Sequence, residues 1–181
     1  MSSITPPNDR IEIKRADITT LHVDAIVNAA NQYLISGGGV CGAIHKAAGP
    51  ALEEECKDLF GCEEGQAEIT AAYNLPSQYV IHTVGPRWLD GQRNEADLLA
   101  SCYKNVMRIA QEKNIKTIAF PAISTGIYNY PIKEACEIAI SKVFQALSNN
   151  NSIERVIFAC VQTDIEDCLT DSLSKLSSTN S

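Results

Sequence analysis

The residues with the clearest chemical potential lie in one stretch, Val27–Gly42, which contains two asparagines, three consecutive glycines and a cysteine. Glycines such as Gly38 and Gly39 let backbone N–H groups surround an anion, and a helix start there adds a partial positive charge. The amides of Asn28 and Asn31 can each donate and accept hydrogen bonds, which suits recognition of ribose hydroxyls. The stretch therefore predicts a site for a phosphate-bearing ligand that also carries hydroxyl groups.

Two common nucleotide motifs do not fit this stretch. Gly37, Gly39 and Gly42 form the pattern G-x-G-x-x-G, but residues 30–35 separate them from the preceding strand, and no acidic strand end follows about twenty residues later, as a Rossmann unit requires. The Walker A pattern also fails, because no Gly-Lys-Ser/Thr follows. A glycine-rich turn between a strand and a helix remains the simpler alternative.

A second loop, Phe120–Pro131, follows a strongly apolar predicted strand. Ser124 and Thr125 offer hydroxyls, Gly126 permits close backbone approach, and Tyr128 could pack on a sugar. Ligands of open α/β sheets gather at the carboxyl ends of strands, although an ordinary connection with capping hydroxyls would have a similar composition. Two such loops in one small domain favour a pyrophosphate held between them.

Nucleophilic chemistry is a further alternative, because Cys41 and His45 are four residues apart and would share a helix face as a thiolate–imidazole pair. The same helix start would, however, bind phosphate, and no third group to orient the imidazole is apparent. His82, within an apolar strand, is predicted as a core or strand-end histidine, and His22 as a surface turn residue. Asp17 follows the first strand and could accept a hydrogen bond from an exocyclic amine, or simply cap a turn.

Hydrophobic periodicity indicates the elements that must position these residues. Apolar runs predict strands over 10–15, 23–29, 66–72, 79–83, 115–121 and 153–160. Helical spacing predicts helices over 41–59, 94–113, 132–147 and 165–176. The alternation of helices and strands in the second half implies parallel strands covered on both faces. We therefore predict one three-layer α/β/α domain over 10–173 with a mixed, mostly parallel central sheet, and disordered tails at 1–9 and 174–181.

Composition narrows the classes of partner. The 181 residues include 45% hydrophobic and 20% charged residues, and the formal net charge of −7 argues against nucleic acid or an anionic membrane as partner. The seven cysteines show neither a C-x-x-C pair nor metal-ligand spacing, which predicts a reducing, cytoplasmic location and no metal. No apolar run approaches the roughly 20 residues of a membrane span. Nothing demands more than a monomer.

Five blocks, in order and at family spacing, make the chain similar to the macrodomain family, and within it to the MacroD-type branch that includes O-acetyl-ADP-ribose deacetylases. The resemblance covers about residues 10–170. The blocks are Ala16–Thr19, Val23–Asn31, Gly37–Pro50, Tyr79–Pro86 and Phe120–Tyr128.

The resemblance implies the macro fold, ADP-ribose or an ADP-ribosylated protein as the partner, and no cofactor. Asp17 would take the adenine amine and Ile18 would add its backbone N–H, while residues 158–162 would flank the adenine. Asn31 and Tyr128 would lie at the distal ribose. The two sides of the pyrophosphate would be held by Gly38, Gly39 and Val40, and by Ser124, Thr125, Gly126 and Ile127.

One departure from the family pattern falls on Cys41, because related hydrolases usually carry aspartate there. A neutral thiol cannot act as that carboxylate base, yet some viral macrodomains that resemble active hydrolases also have cysteine. The first hypothesis is a hydrolase of mono-ADP-ribosyl esters, in which Asn31 positions water, the ligand's own phosphate deprotonates it and Cys41 shapes the pocket. The second is a binding module without turnover, and an NAD-dependent dehydrogenase is the third.

Overall fold

The computed structural model describes residues 3–179, in which six strands and five helices alternate with irregular loops. The strands are β1 Ile11–Arg15, β2 Ala25–Ala29, β3 Ala67–Ala71, β4 Tyr79–Thr83, β5 Thr117–Phe120 and β6 Arg155–Cys160. The helices are α1 Gly39–Ala48, α2 Pro50–Lys57, α3 Glu95–Glu112, α4 Ile132–Asn149 and α5 Thr163–Thr179. Two short 3-10 turns, Pro7–Arg10 and Ile18–Thr20, flank β1.

The strands form one sheet in the order β1-β6-β5-β2-β4-β3. Every neighbouring pair is parallel except β3 with β4, so the carboxyl ends of five strands lie along one edge. Successive side chains of a strand point to opposite faces, and here each face has its own core. Ile26 packs with residues of α1 and α2, whereas its neighbour Val27 packs with residues of α3 and α4. The predicted three-layer arrangement with a mixed sheet is confirmed.

The structure corrects two predicted boundaries. The helix predicted over 41–59 is two helices, because Gly49 at φ 89° ends α1 and Pro50 begins α2. The helix α5 continues to Thr179, three residues past the helix end predicted at 176 and into the segment 174–181 that we predicted as tail. The chain ends at 1–2 and 180–181, also predicted as tails, lie outside the described residues.

The cysteines differ in how far they are exposed to solvent. Six of the seven are buried as free thiols, and Cys168 on α5 is partly exposed. Burial raises the pKa of the thiols of Cys56, Cys62 and Cys102 to about 11. These side chains behave as small hydrophobes within the two cores. Between residues 3 and 179, no helix is long and apolar enough to cross a membrane.

Candidate functional site

Two cavities open at the carboxyl edge of the sheet and join into one cleft. The first, the glycine cavity, has a volume of about 230 Å³, and the second, the Asp17 cavity, has about 400 Å³. They share the lining residues Gly39, Val40, Ala122 and Gly126. A cleft of this size fits a nucleotide-sized ligand, and its position is the usual one for open α/β sheets.

The first wall of the glycine cavity is the loop between β2 and α1. A Cβ added at Gly42 would lie 2.3 Å from the carbonyl oxygen of Gly37, so only glycine permits this turn to close. Gly39, the first residue of α1, has φ +57°. Among the described residues, no protein acceptor meets the backbone N–H of Gly38, Gly39 or Val40. These donors of a helix's first turn make the wall an anion site.

The opposite wall is the loop between β5 and α4. Both hydroxyls of this loop are bonded to backbone carbonyls. Ser124 Oγ donates to the carbonyl of Pro86 at 2.8 Å, and Thr125 Oγ1 donates to that of Ala122 at 2.7 Å. Ser124 has φ 68°, and its carbonyl accepts from the N–H of Tyr130. The backbone N–H groups of Gly126, Ile127 and Tyr128 have no acceptor anywhere in residues 3–179. The donors available to an anion on this wall are therefore backbone groups rather than hydroxyls.

The side chain of Asn31 fastens the first loop. Its Oδ1 accepts from the N–H groups of Tyr33 at 3.1 Å and Ile35 at 3.3 Å, and its Nδ2 donates to the carbonyl of Ile35 at 2.8 Å. Both acceptor sites of Oδ1 are thus used, and one N–H of Nδ2 remains. Asn31 can still donate a hydrogen bond to a water or hydroxyl oxygen in the cavity that it lines.

Cys41, in the first turn of α1, lies at the base of the glycine cavity and is 5% exposed. Its thiol donates to the carbonyl of Ile35 at 3.5 Å, and Asn28 Nδ2 lies 3.8 Å from its Sγ. Burial raises the pKa of this thiol above its ordinary value, although hydrogen bonds from Asn28 and Gly37 oppose that shift. The thiol is therefore neutral at physiological pH, which is unfavourable for a nucleophile.

Asn28 does not reach the cleft. It is fully buried on β2, opposite His82 in the β2–β4 pairing, and its Nδ2 donates to His82 Nδ1 at 3.1 Å. The contact with ribose hydroxyls predicted for Asn28 is therefore not supported, because this side chain is fully buried and lines neither cavity. Its Oδ1 is buried without a partner among the described residues.

The other histidines take structural places. His82 is fully buried, and burial lowers its pKa to about 3. Thr70 Oγ1, which donates to the carbonyl of Ala71, lies 2.9 Å from His82 Nε2, so the neutral ring donates from Nε2 and accepts at Nδ1. The core position predicted for His82 is confirmed, as is the surface position of His22.

The alternative of a thiolate–imidazole pair does not fit the geometry. His45 is 6% exposed, and no hydrogen bond joins its ring to Cys41; in the described chain both ring nitrogens are without a partner. Burial lowers the pKa of His45, which keeps the ring neutral. A neutral imidazole that does not contact a protonated thiol cannot activate it.

Asp17 has the turn-capping role that the sequence offered as one of its two alternatives. Asp17 Oδ1 caps the turn Ile18–Thr20, accepting from the N–H of Thr19 at 2.9 Å and from its hydroxyl at 2.7 Å. Within the described residues, Oδ2 of Asp17 and the N–H of Ile18 have no hydrogen-bond partner. One carboxylate oxygen thus supports the turn and the other is available to a ligand amine. Residues 159–162 and Ile165 complete the Asp17 cavity.

A brace behind the second loop was missed by sequence reasoning. Gly85 packs so closely that an added Cβ would lie 2.2 Å from Ser124 Oγ. Arg87 lies over the ring of Tyr128, with Cζ 5.4 Å from the ring centre. The Glu95 carboxylate, 2% exposed overall, accepts backbone N–H groups from residues 89–91 and 93. Burial acts to raise the pKa of Glu95, but these backbone hydrogen bonds outweigh it and lower that pKa to about 2.

Every predicted site residue except Asn28 lines one of the two cavities. The glycine cavity is lined by Asn31, Gly38, Gly39, Val40, Cys41, Ser124, Gly126, Ile127 and Tyr128, and the Asp17 cavity by Asp17, Ile18 and Thr125. No charged side chain is among the described residues that line the glycine cavity. In residues 3–179, no group of three or more His, Cys, Asp or Glu side chains is arranged to hold a metal. The cleft can therefore hold a diphosphate through backbone dipoles.

The sequence is similar to members of a known protein family. The sequence model of the family described as Macro domain matches residues 27–139. A macro domain-containing protein of Chlorobaculum tepidum is 57% identical over 155 residues, covering 86% of this chain and 90% of that protein. An O-acetyl-ADP-ribose deacetylase of Klebsiella pneumoniae is 54% identical, covering 82% and 87%. The ADP-ribose glycohydrolase MACROD2 of Homo sapiens is 48% identical, covering 87% of this chain and 37% of that protein.

Solved structures agree with these matches. A macrodomain of Oceanobacillus iheyensis with ADP has a TM-score of 0.90 at 38% identity, covering 93% of this chain and 92% of that one. A Trypanosoma brucei macrodomain in complex with ADP-ribose has a TM-score of 0.85 at 38% identity, covering 90% and 68%. These likenesses confirm the fold predicted from the sequence.

Proposed function

Because the chain belongs to the macrodomain family, we propose that it binds ADP-ribose and hydrolyses mono-ADP-ribosyl esters, releasing ADP-ribose. The substrates are ADP-ribose esterified to acidic side chains of proteins, or O-acetyl-ADP-ribose. Relatives named O-acetyl-ADP-ribose deacetylase and ADP-ribose glycohydrolase, at about 50% identity, support hydrolase activity.

One observation carries the binding half of this proposal. Two walls with free backbone N–H groups, one ending in Val40 and the other in Tyr128, face each other across a cavity whose described lining residues include no charged side chain. That arrangement suits a pyrophosphate, because N–H donors stabilise its charge without a counter-cation. The unpartnered Asp17 Oδ2 and Ile18 N–H lie in the adjoining cavity, where the adenine amine and ring nitrogen would bind.

The proposed hydrolysis depends on two side chains of the glycine cavity, Asn31 and Cys41. Asn31 retains one N–H, which would donate to the attacking water and fix its position. The neutral Cys41 thiol cannot take the proton of that water. We therefore assign the general base to a phosphate oxygen of the bound ligand, a substrate-assisted route. The water oxygen bonds to the ester's acyl carbon, the bond from that carbon to the ribose oxygen breaks, and the proton held by the phosphate passes to the ribose oxygen. The carboxylic acid leaves, and ADP-ribose remains in the cleft.

A binding module without turnover is the second candidate, and Cys41 is the observation that favours it. Since none of the described residues that line the cavity has a carboxylate, the chain could recognise ADP-ribosylated protein and leave the linkage intact. The two functions share the same affinity for ADP-ribose and differ only in rate.

A turnover assay separates the two candidates. Purified protein is incubated with a mono-ADP-ribosylated protein and, separately, with O-acetyl-ADP-ribose, and release of ADP-ribose is followed by mass spectrometry. Release above the background of a heat-treated sample supports the hydrolase. Tight calorimetric binding of ADP-ribose without any release supports the module. NAD binding much tighter than that of ADP-ribose would favour a dehydrogenase instead.

Three variants define the roles of the two side chains. Asn31→Ala should lower the rate by about 10²-fold or more, because the water loses its donor and the loop its fastening. Cys41→Ala should leave the rate within a few-fold, since the thiol does not react. Cys41→Asp should raise the rate by supplying a base, and a large gain over a nearly inert parent would identify the parent as chiefly a binder.

A further inference from the structure

Next to the glycine cavity lies a wide, open depression of about 780 Å³ that the proposed chemistry does not use. Its most prominent residues are two aromatic rings, Phe60, which is 95% exposed, and Tyr33, which is 77% exposed. Gln32, Glu63 and Glu64 also line it. We call this surface the aromatic shelf.

The shelf is fastened to the catalytic loop. The N–H of Tyr33 donates to Asn31 Oδ1 at 3.1 Å, and the N–H of Cys62 donates to the carbonyl of Gln32 at 2.9 Å. Gly61 has φ +89°, and an added Cβ there would lie 2.8 Å from that same carbonyl oxygen. The segment that carries Phe60 is therefore held against the loop that carries Asn31, and the shelf keeps a fixed position relative to Asn31.

Folding does not account for Phe60. Its φ of 57° is in the left-handed region, which a bulky side chain rarely occupies, and its ring is almost entirely in water. The ring thus combines backbone strain with an exposed apolar surface. Features of this kind concentrate at sites that contact a partner.

The charge of the shelf indicates what kind of partner fits. Glu63 and Glu64 line it with carboxylates, and the amine of Lys57, its one basic residue among those described, donates to Glu54 Oε1 at 2.8 Å. The whole chain carries a formal net charge of −7. A cationic group is therefore attracted to this surface, and a nucleic acid is repelled.

We propose that the aromatic shelf binds the polypeptide of an ADP-ribosylated protein substrate. An apolar side chain next to the modified acidic residue would pack on Phe60 and Tyr33, and a neighbouring Lys or Arg would pair with Glu63 and Glu64. This inference rests on the proposed function. It adds that the protein prefers ADP-ribose esters linked to a polypeptide over O-acetyl-ADP-ribose.

The test compares two substrates that differ only in polypeptide. One is a peptide mono-ADP-ribosylated on glutamate and flanked by Leu and Lys, and the other is O-acetyl-ADP-ribose. Phe60→Asn should raise KM for the peptide about tenfold, as loss of a central aromatic contact does, and leave KM for O-acetyl-ADP-ribose within twofold. Because Asn tolerates left-handed backbone, this variant keeps the fold, and Phe60→Trp should keep the peptide KM.

Two further variants test position and charge. Glu63→Gln combined with Glu64→Gln should raise KM for the Lys-containing peptide. The same double variant should leave unchanged the KM for a peptide with Ser in place of Lys. Ile4→Ser is the matched control, because Ile4 is 67% exposed and lies with Arg10 and Glu154 at the opposite ends of the strands. Ile4→Ser should change KM for neither substrate.

Equal effects of Phe60→Asn on both substrates, or none on either, would overturn the proposal. Sedimentation showing a dimer that Phe60→Asn dissociates would identify a second copy of the chain as the occupant and also overturn it. If the parent cleaves neither substrate, the proposed hydrolysis fails by itself. The shelf is then judged by calorimetry, where the modified peptide must bind more tightly than ADP-ribose, and Phe60→Asn must abolish that advantage.

Discussion

Both walls of the glycine cavity present free backbone N–H donors, but a different local structure leaves those donors free on each wall. The first wall uses the opening turn of α1, whose N–H groups are free because a helix start has no internal acceptors for them. The second wall is an irregular turn, in which Ser124 adopts φ 68° and two hydroxyls fold back on carbonyls. Helix geometry thus exposes donors on one side, and side-chain hydrogen bonds expose them on the other.

The supports below the walls also differ. The first wall is closed by contact between Gly37 and Gly42 and lies above the neutral pair Asn28–His82. The second wall is braced by residues 85–95, which the anionic carboxylate of Glu95 holds in place. The comparison indicates that one wall depends on close backbone packing and the other on a neighbouring loop. Substitutions and pH should therefore affect them separately.

The largest effect is expected at the packed turn. Gly42→Ala places a Cβ 2.3 Å from the carbonyl oxygen of Gly37, which should lower the free energy of unfolding by about 3 kcal/mol and abolish ADP-ribose binding. Gly126→Ala on the other wall meets nothing within 4 Å and should change stability by less than about 0.5 kcal/mol. Urea denaturation measures both. Equal destabilisation would contradict the distinction between the walls.

The second wall should instead show loss of affinity without loss of stability. Gly126→Val adds a branched side chain where the backbone N–H groups of the loop are open to the ligand, and it should weaken ADP-ribose binding about tenfold, or about 1.4 kcal/mol. Calorimetry gives the affinity and a parallel melt gives the stability. A variant that binds normally would show that the ligand does not approach Gly126.

The support of the first wall predicts a pH dependence. Since the folded pKa of His82 is lowered from 6.5 to about 3, the unfolded chain binds an additional proton between those values, and stability should fall as pH falls through that window. His82→Gln should reduce this slope by about 1.4 kcal/mol per pH unit. Unfolding titrations at several pH values measure it, with His22→Gln, on the surface, as the control. An unchanged slope would mean that His82 is protonated in the folded protein.

The support of the second wall should respond in a lower window. The folded pKa of Glu95 is lowered from 4.5 to about 2, so its stabilisation is complete above about 4.5 and is lost as pH falls towards 2. Glu95→Gln should lower Tm at neutral pH and weaken ADP-ribose binding a few-fold. The difference in Tm from the parent should then shrink below pH 4.5.

Glu112→Gln, on the exposed end of the same helix, is the matched control and should change neither measurement. A difference in Tm for Glu95→Gln that stays constant down to pH 2 would contradict the assignment of the brace to a carboxylate.

Much of this arrangement could be predicted because its signals are local. The strand Tyr79–Thr83 has the bounds predicted from its apolar run, and both walls follow from glycine and hydroxyl chemistry within a few residues. The break at Gly49-Pro50 was missed although both residues interrupt helices, because the apolar spacing continues through it.

What could not be predicted depends on pairing between distant segments. Asn28 was assigned to the ligand because it follows an apolar run, but the strand register places it opposite His82, where its amide is fully buried. Glu95 gave no signal, since its partners are backbone groups of an irregular loop. The free N–H groups are equally invisible in a sequence, because they are defined by acceptors that the folded backbone does not provide.

The uneven burial of the cysteines makes the protein convenient to label. Six thiols are shielded, and burial raises the pKa of Cys136 to about 12, so they react slowly with maleimides near neutral pH. Cys168 on α5 is more accessible than the rest. A maleimide should therefore modify Cys168 first, because the two thiols that line the cleft, Cys41 and Cys160, are only 5% and 6% exposed. Cys168 thus offers a position on α5 where a label can be attached without a substitution.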